Sequence, residues 1–183
     1  MAAQLGVGHR PRPTTENFMR RQIALALLAL CLAPSLAIAG TFPVPKEKPI
    51  ATVSIPDSWS PKVTDAFIEA SSADGYIYLA FESINAADAN SAIEEALGVI
   101  LAAGDEVDRA SKKTKDIKIN DLDASQTSYT GKDKVGPTNI RLTLIKTNAP
   151  AKLLLFTYWG SANGEATNGN DLKAISDSIQ ATR

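Results

Sequence analysis

An α+β fold is what the sequence predicts: a mainly antiparallel sheet with helices on both faces, an α/β/α sandwich. Three observations carry that expectation. Runs of β-branched and aromatic residues recur, and most are joined by turns too short for a parallel crossover. Two of these runs, 76–84 and 151–159, are apolar at odd and even positions alike, so each needs cover on both faces. Two other segments, 88–104 and a last one around 170–179, change to a helical period with a single apolar stripe.

The elements follow in chain order. Residues 40–49, GTFPVPKEKP, are Pro-rich and polar and read as an extended leader. The domain proper is expected over residues 50–183. IATVSI (50–55) alternates and is β-branched, the pattern of a strand, and PDSWSPK turns the chain at Pro56 and Pro61. AFIEASS (66–72) and YIYLAFESI (76–84) form a hairpin about Asp74-Gly75. In 88–104 the stripe is Ile93, Leu97, Ile100 and Leu101, with Ala96 between. Asp88 or Asn90 can cap its start, Ser91 with Glu94 fits a capping box, and Gly104 suits its end. Gly98, inside the helix, predicts close packing on the sheet.

DEVDRASKKTK (105–115) is polar and is expected either to extend that helix or to form a loop. DIKIN (116–120) and DASQTSYTG (123–131) read as weaker strands, and KDKVGP (132–137) as a turn. NIRLTLIKT (139–147) places Ile140, Leu142 and Leu144 on one face. AKLLLFTYW (151–159) is a second central strand, and GSANGEATNGN reads as a loop. Asn170 then caps a last helix with Leu172, Ile175 and Ile179 inward.

Ahead of the domain, Arg20 and Arg21 precede an apolar run from Ile23 to Leu32, then Pro34, Ser35 and Ala37-Ile38-Ala39 before Gly40. That is a positive n-region, a short h-region and an A-x-A site, the layout of a secretory signal peptide cleaved after Ala39. An apolar core of about 10 residues is half of what a bilayer span requires. Residues 1–39 are thus expected to be signal peptide and upstream extension, with Met1 or Met19 as the start. The surroundings of Arg20-Arg21 fit a twin-arginine signal poorly, and Leu30 before Cys31 breaks a lipobox. The expected location is periplasmic or secreted, with no stable membrane span after cleavage.

Cleavage would remove His9 and Cys31, the chain's one His and one Cys. A chain of residues 40–183 would then have no Ser-His-Asp or Cys-His catalysis, no disulfide and no usual zinc or copper ligands. No cofactor and no metal is expected. Four arginines and one glutamate leave with the signal, so 15 basic face 19 acidic side chains. That mild acidity speaks against nucleic acid as a partner.

SIPDSW (54–59), the hairpin AFIEASSADGYIYLAFES and the ending LLLFTYWGS…DLKAISDSI carry a resemblance. The chain resembles the PsbP-like fold family over most of residues 50–182. That family takes its name from an extrinsic photosystem II subunit and is shared with a eukaryotic Ran-binding import factor. Small exported bacterial proteins similar to DcrB also resemble it. The resemblance implies the sandwich above; it carries over no shared catalytic motif, and its members include adaptors and accessory subunits as well as many bacterial proteins of unassigned activity.

Four groups of residues are candidates for chemistry. Asp121, Asp123, Ser125 and Thr127 alternate like the start of a calcium loop, but Gln126 and Lys132 occupy the positions needing Gly and Glu. Arg109, Lys112, Lys113, Lys115 and Lys118 could meet an acidic partner or anionic headgroups, though Asp105, Glu106 and Asp108 adjoin them. Carboxylate pairs drawn from Asp105, Glu106, Asp108, Asp121 and Asp123 would serve a carboxylate-only hydrolase if they flanked a cleft. Trp59, Tyr158 and Trp159 could line an aromatic ligand pocket, with Tyr76 and Tyr78 nearby. The preferred expectation is an exported, non-enzymatic accessory or protein-binding module with an envelope protein as partner. A small-ligand-binding protein is the alternative, and the hydrolase comes third. The intact mass of protein taken from its own cells should correspond to a chain starting at Gly40; a mass that includes Cys31 would contradict the signal reading.

Overall fold

Residues 39–183 are described here in a computed structural model of the chain. The expected signal segment, with His9 and Cys31, lies outside the described residues except for Ala39. The two doubly apolar runs are the centre of the molecule. β5 (Ile77–Asn85) and β9 (Lys152–Ser161) pair antiparallel in a seven-stranded sheet of order β3-β4-β5-β9-β8-β7-β6. The others are β3 (Lys62–Val63), β4 (Phe67–Ser71), β6 (Glu106–Ile119), β7 (Leu122–Lys132) and β8 (Pro137–Lys146). Every pairing is antiparallel, as the short turns require.

Each face of that sheet has its own cover. On one face lies α1 (Ala89–Ala102), whose Ala92, Leu97 and Ile100 pack with Ile84, Tyr129, Ile140, Leu142 and Leu155. On the other lie α2 (Ala162–Asp177), with Ile175, and a small sheet of β1 (Ala39–Val44), β2 (Ala51–Pro56) and β10 (Gln180–Ala181). Val44, Val53, Ile55 and Trp59 meet Ile68, Leu79, Phe81 and Leu154 there, and Phe81 stacks on Phe156 at 4.5 Å between ring centroids. Full burial of each such side chain favours folding by roughly 1.5–3 kcal/mol. Helices on both faces and a mainly antiparallel sheet are therefore present as expected. Among the described residues, no helix is long and apolar enough to cross a membrane.

The structure departs from the expectations in four places. The leader is a strand over its first half: residues 39–44 pair with β2, with Phe42 packed against the core and Val44 fully buried. Pro43 is tolerated because β1 is an edge strand with no second partner. Residues 106–119 are one long strand, β6, neither helix nor loop. β6 is the outer edge of the large sheet, exposed along most of its length, so burial imposes no apolar alternation on it. Between Asp108 and Lys113 its register shifts against β7, and the Ser111 hydroxyl accepts from the Thr130 N–H at 2.8 Å inside this bulge.

The last helix starts at Ala162, eight residues before Asn170, within the segment expected to be a loop. Ser161 is its N-cap, with the side chain accepting from Gly164 N–H at 3.1 Å. The first turns are poor in helix formers, and tertiary contacts hold them. A Cβ on Gly164 would lie 2.7 Å from Tyr76 Cβ and 3.0 Å from Tyr76 O, so this is where helix and sheet make their close approach. Gly98, expected in that role, faces open space on α1, and Leu101 is exposed rather than inward. Asp88 takes the N-cap position of α1 after a 3-10 turn (Ala86–Asp88), with no side-chain cap, and Glu94 of the expected box pairs instead with Arg109 at 2.8 Å.

At its other end α2 is held by Asn120 in the β6–β7 turn. The Asn120 amide donates to Ile179 O at 2.7 Å and Asp177 O at 3.2 Å, satisfying carbonyls the helix leaves open. The two glycines should respond oppositely to alanine. Gly98→Ala should raise unfolding free energy by about 0.5–1 kcal/mol. Gly164→Ala should lower it by roughly 1–3 kcal/mol through overpacking. Denaturant titration of both variants checks this.

Candidate functional site

The three aromatic candidates do not share a pocket. Trp59 is 1 % exposed, packs in the core beside the small sheet and donates Nε1–H to Asp171 Oδ2 of α2 at 3.0 Å. Tyr158 is on that same face of the large sheet. Its hydroxyl donates to Glu165 Oε1 at 2.8 Å, and that oxygen also accepts from Arg141 Nη2 at 2.8 Å and Asn139 Nδ2 at 3.2 Å. The Arg141 guanidinium lies 4.7 Å from the Tyr158 ring centroid. Burial, then the bond to Glu165, raise the Tyr158 phenol pKa. This knot fastens the first turn of α2 to β8 and β9. Trp159, next along β9, points to the α1 face, as strand alternation dictates.

The α1 face holds the more open ground. A groove of about 240 Å³ runs between α1 and strands β4–β5. Ala92, Glu95, Ala96, Val99 and Ile100 form its helical wall, at the spacing of one helix face. Phe67, Glu69, Tyr78, Ala80 and Glu82 form its floor. Small alanines on both sides keep it open, and Val99 is 62 % exposed. The Tyr78 hydroxyl donates to Glu69 at 3.1 Å, and Lys62 reaches the same carboxylate at 3.4 Å. Burial, with the Glu69 charge second, pushes the Tyr78 phenol up to about 12. Partial burial, then the nearby Glu95 charge, raise the Glu82 pKa. Neither Glu82 nor Glu95 has an ion-pair partner among the described residues.

Across the floor, Tyr78 is registered with Trp159, which lines a second cleft of about 340 Å³ at the end of the sheet. Asp74, Tyr76, Asp105, Asp133 and Val135 surround it, drawn from three loops. Asp74 is held low by hydrogen bonds from Ser72 and the Tyr76 N–H, whereas burial, then Asp133, raise Asp105. Trp159 Nε1 is buried without a hydrogen-bond partner.

The carboxylates expected to act together are dispersed. Asp105 precedes β6 and Asp121 and Asp123 follow it, so a 14-residue strand separates Asp105 from the other two and it cannot flank one bond with either. Asp123 is held low chiefly by its hydrogen bond from Lys118, at 3.0 Å. The basic run forms the outer edge strand. Sequence reasoning missed the α1 groove, in which Glu69 lies opposite Ala80 and Glu82 opposite Phe67 in paired strands, with Glu95 and Val99 one turn apart on the helix.

A solved protein of Bacteroides thetaiotaomicron matches at 13 % identity, covering 78 % of this chain and 48 % of its own, with a TM-score of 0.49. The chain thus spans about half the length of that protein. Cyanobacterial PsbP (CyanoP) of Synechocystis matches at 10 % identity, covering 82 % of this chain and 97 % of its own, with a TM-score of 0.50. The chain has a PsbP-like fold. The Ran-binding protein Mog1p of Saccharomyces cerevisiae matches at 8 % identity, covering 79 % of this chain and 95 % of its own, at 0.46. No protein-family model matches the sequence, and no curated protein does.

The raised Glu82 pKa has a direction that can be tested. The folded state holds that proton more tightly than the unfolded chain, so ionising Glu82 opposes folding as pH rises through its folded pKa. Glu82→Gln should therefore stabilise the protein slightly at pH 7, by no more than about 0.5 kcal/mol for so exposed a position. The gain should fade as pH drops to the ordinary value of 4.5. Thermal melts of both proteins from pH 4 to pH 8 check this.

Proposed function

We propose that this protein is an exported, non-enzymatic accessory module that binds a basic, part-apolar segment of an envelope protein in the groove along α1. The observation that carries the reading is the groove itself. It joins apolar surface at Phe67, Val99 and the alanines to the carboxylates of Glu69, Glu82 and Glu95. A cationic side chain seated there would meet partly desolvated negative charge, and an apolar neighbour would cover Val99. The export part of the reading rests on the n-region, h-region and A-x-A pattern of residues 20–39. The non-enzymatic part rests on the absence of His and Cys from residues 40–183.

The small-ligand reading moves to the cleft at Trp159, favoured by the buried indole N–H that lacks an acceptor. One experiment separates the two. A photo-crosslinking residue replaces Val99 in one strain and Val135, at the cleft, in another. The groove reading expects one discrete protein adduct from position 99, lost when Glu82→Lys and Glu95→Lys are added. No protein adduct at position 99, or an adduct indifferent to those charges, would overturn it. Turnover of a substrate by the purified protein would overturn the non-enzymatic reading.

A further inference from the structure

The large sheet ends very differently on its two sides. At β3 it closes with a strand of two residues. At β6 it ends in a strand of 14 residues whose one partner among the described residues is β7. The bulge between Asp108 and Lys113 breaks the upper half of this edge. Below it the register with β7 is regular over the seven residues Lys113–Ile119. Along that stretch the outward backbone N–H and C=O groups form an open ladder.

On the α2 face the side chains of this ladder have a sign, while Asp116 points to the α1 face. Lys113 and Lys115 point to the α2 face, in register with Ser128 and Gln126 of β7. Beyond them in the same rows are Arg141 and Thr143 of β8. Lys112 stands in the bulge just above. None of Lys112, Lys113 and Lys115 has an ion-pair partner among the described residues. Arg141 is already held by Glu165, and Lys118, on the α1 face, by Asp123. Three uncompensated positive charges thus flank an open strand edge on a domain whose residues 40–183 are net acidic.

We propose that the Lys113–Ile119 edge is a docking site for an extended acidic segment of a partner protein, added to the sheet as an eighth strand. Main-chain bonds to the open ladder would supply affinity, and acidic side chains at alternate positions, facing Lys113 and Lys115, would supply selectivity. The same lysines disfavour a second copy of this chain as occupant, because self-pairing crowds like charges together. The site is separate from the α1 groove and does not depend on it.

The test uses the purified protein and a synthetic octapeptide of four Glu-Thr repeats, with a Lys-Thr octapeptide as control. Amide hydrogen exchange is read with and without each peptide, and binding is titrated at low and at physiological salt. The acidic peptide should saturably slow exchange at alternate amides within 113–119 and leave β4 unchanged. Charge reversal at Lys112, Lys113 and Lys115 to Glu should weaken its binding by at least about tenfold and let the Lys-Thr peptide bind instead. These side chains are exposed, so an unchanged thermal melt confirms that the variant is folded. Lack of protection in β6, or equal protection by both peptides, would overturn the proposal. So would binding to phosphatidylglycerol vesicles in place of the peptide, because headgroups meet charge without pairing with the ladder.

Discussion

The rest of the structure depends on the need to cover β9 on both faces. Leu154, Phe156 and Tyr158 point one way and Leu155, Thr157 and Trp159 the other, and the strand is paired along both edges. Leaving either face open would put several large apolar side chains in water. α1 meets the demand on one side with Leu97 and Ile100. On the other side α2 is too narrow to cover the sheet alone, and the small sheet of β1, β2 and β10 completes the layer with Val44, Val53 and Ile55. The sandwich is this constraint worked out twice, by different means on each side.

Where burial shaped the residues, the sequence was readable. The hairpin at Asp74-Gly75, the face of β8 carrying Ile140 and Leu142, and the stripe Leu97–Ile100 all follow from which side meets the core. Where burial is absent or made by distant partners, the local pattern says little. β6 lies at an edge and needs no alternation, so its lysines resemble a loop. The start of α2 is poor in helix formers, and what holds it is Gly164 against Tyr76 and Glu165 against three donors from β8 and β9. Apart from the Tyr158–Glu165 bond, those contacts span sequence distances that no local window contains. The aromatic candidates misled for a simpler reason: neighbours on a strand face opposite ways, so Tyr158 and Trp159 could never line one wall. The α1 groove needs β4, β5 and α1 together before its carboxylates become neighbours.

Charge is divided more sharply than the composition implies. Fifteen basic and 19 acidic side chains in residues 40–183 come close to balance, yet the groove gathers Glu69, Glu82 and Glu95 while the far edge gathers Lys112, Lys113 and Lys115. At physiological salt, fields decay over about 8 Å, so each patch acts on what touches it and neither cancels the other. Opposite charges thus sit at opposite margins of one sheet, the arrangement on which both proposed docking sites rest.

The clasp of Asn120 on the end of α2 belongs to a wider seam. The Ser54 N–H donates to Ser178 Oγ across 124 residues of sequence, the Thr182 N–H donates to Ile50 O, and the Thr182 hydroxyl bonds Pro49 O. The first strands are thus completed by the last turns. A chain emerging N-terminus first, from a ribosome or through a narrow pore, holds β2 without its C-terminal neighbour until residue 182 has followed. Closure of this layer is therefore a late event, governed by chain completion rather than by local propensity.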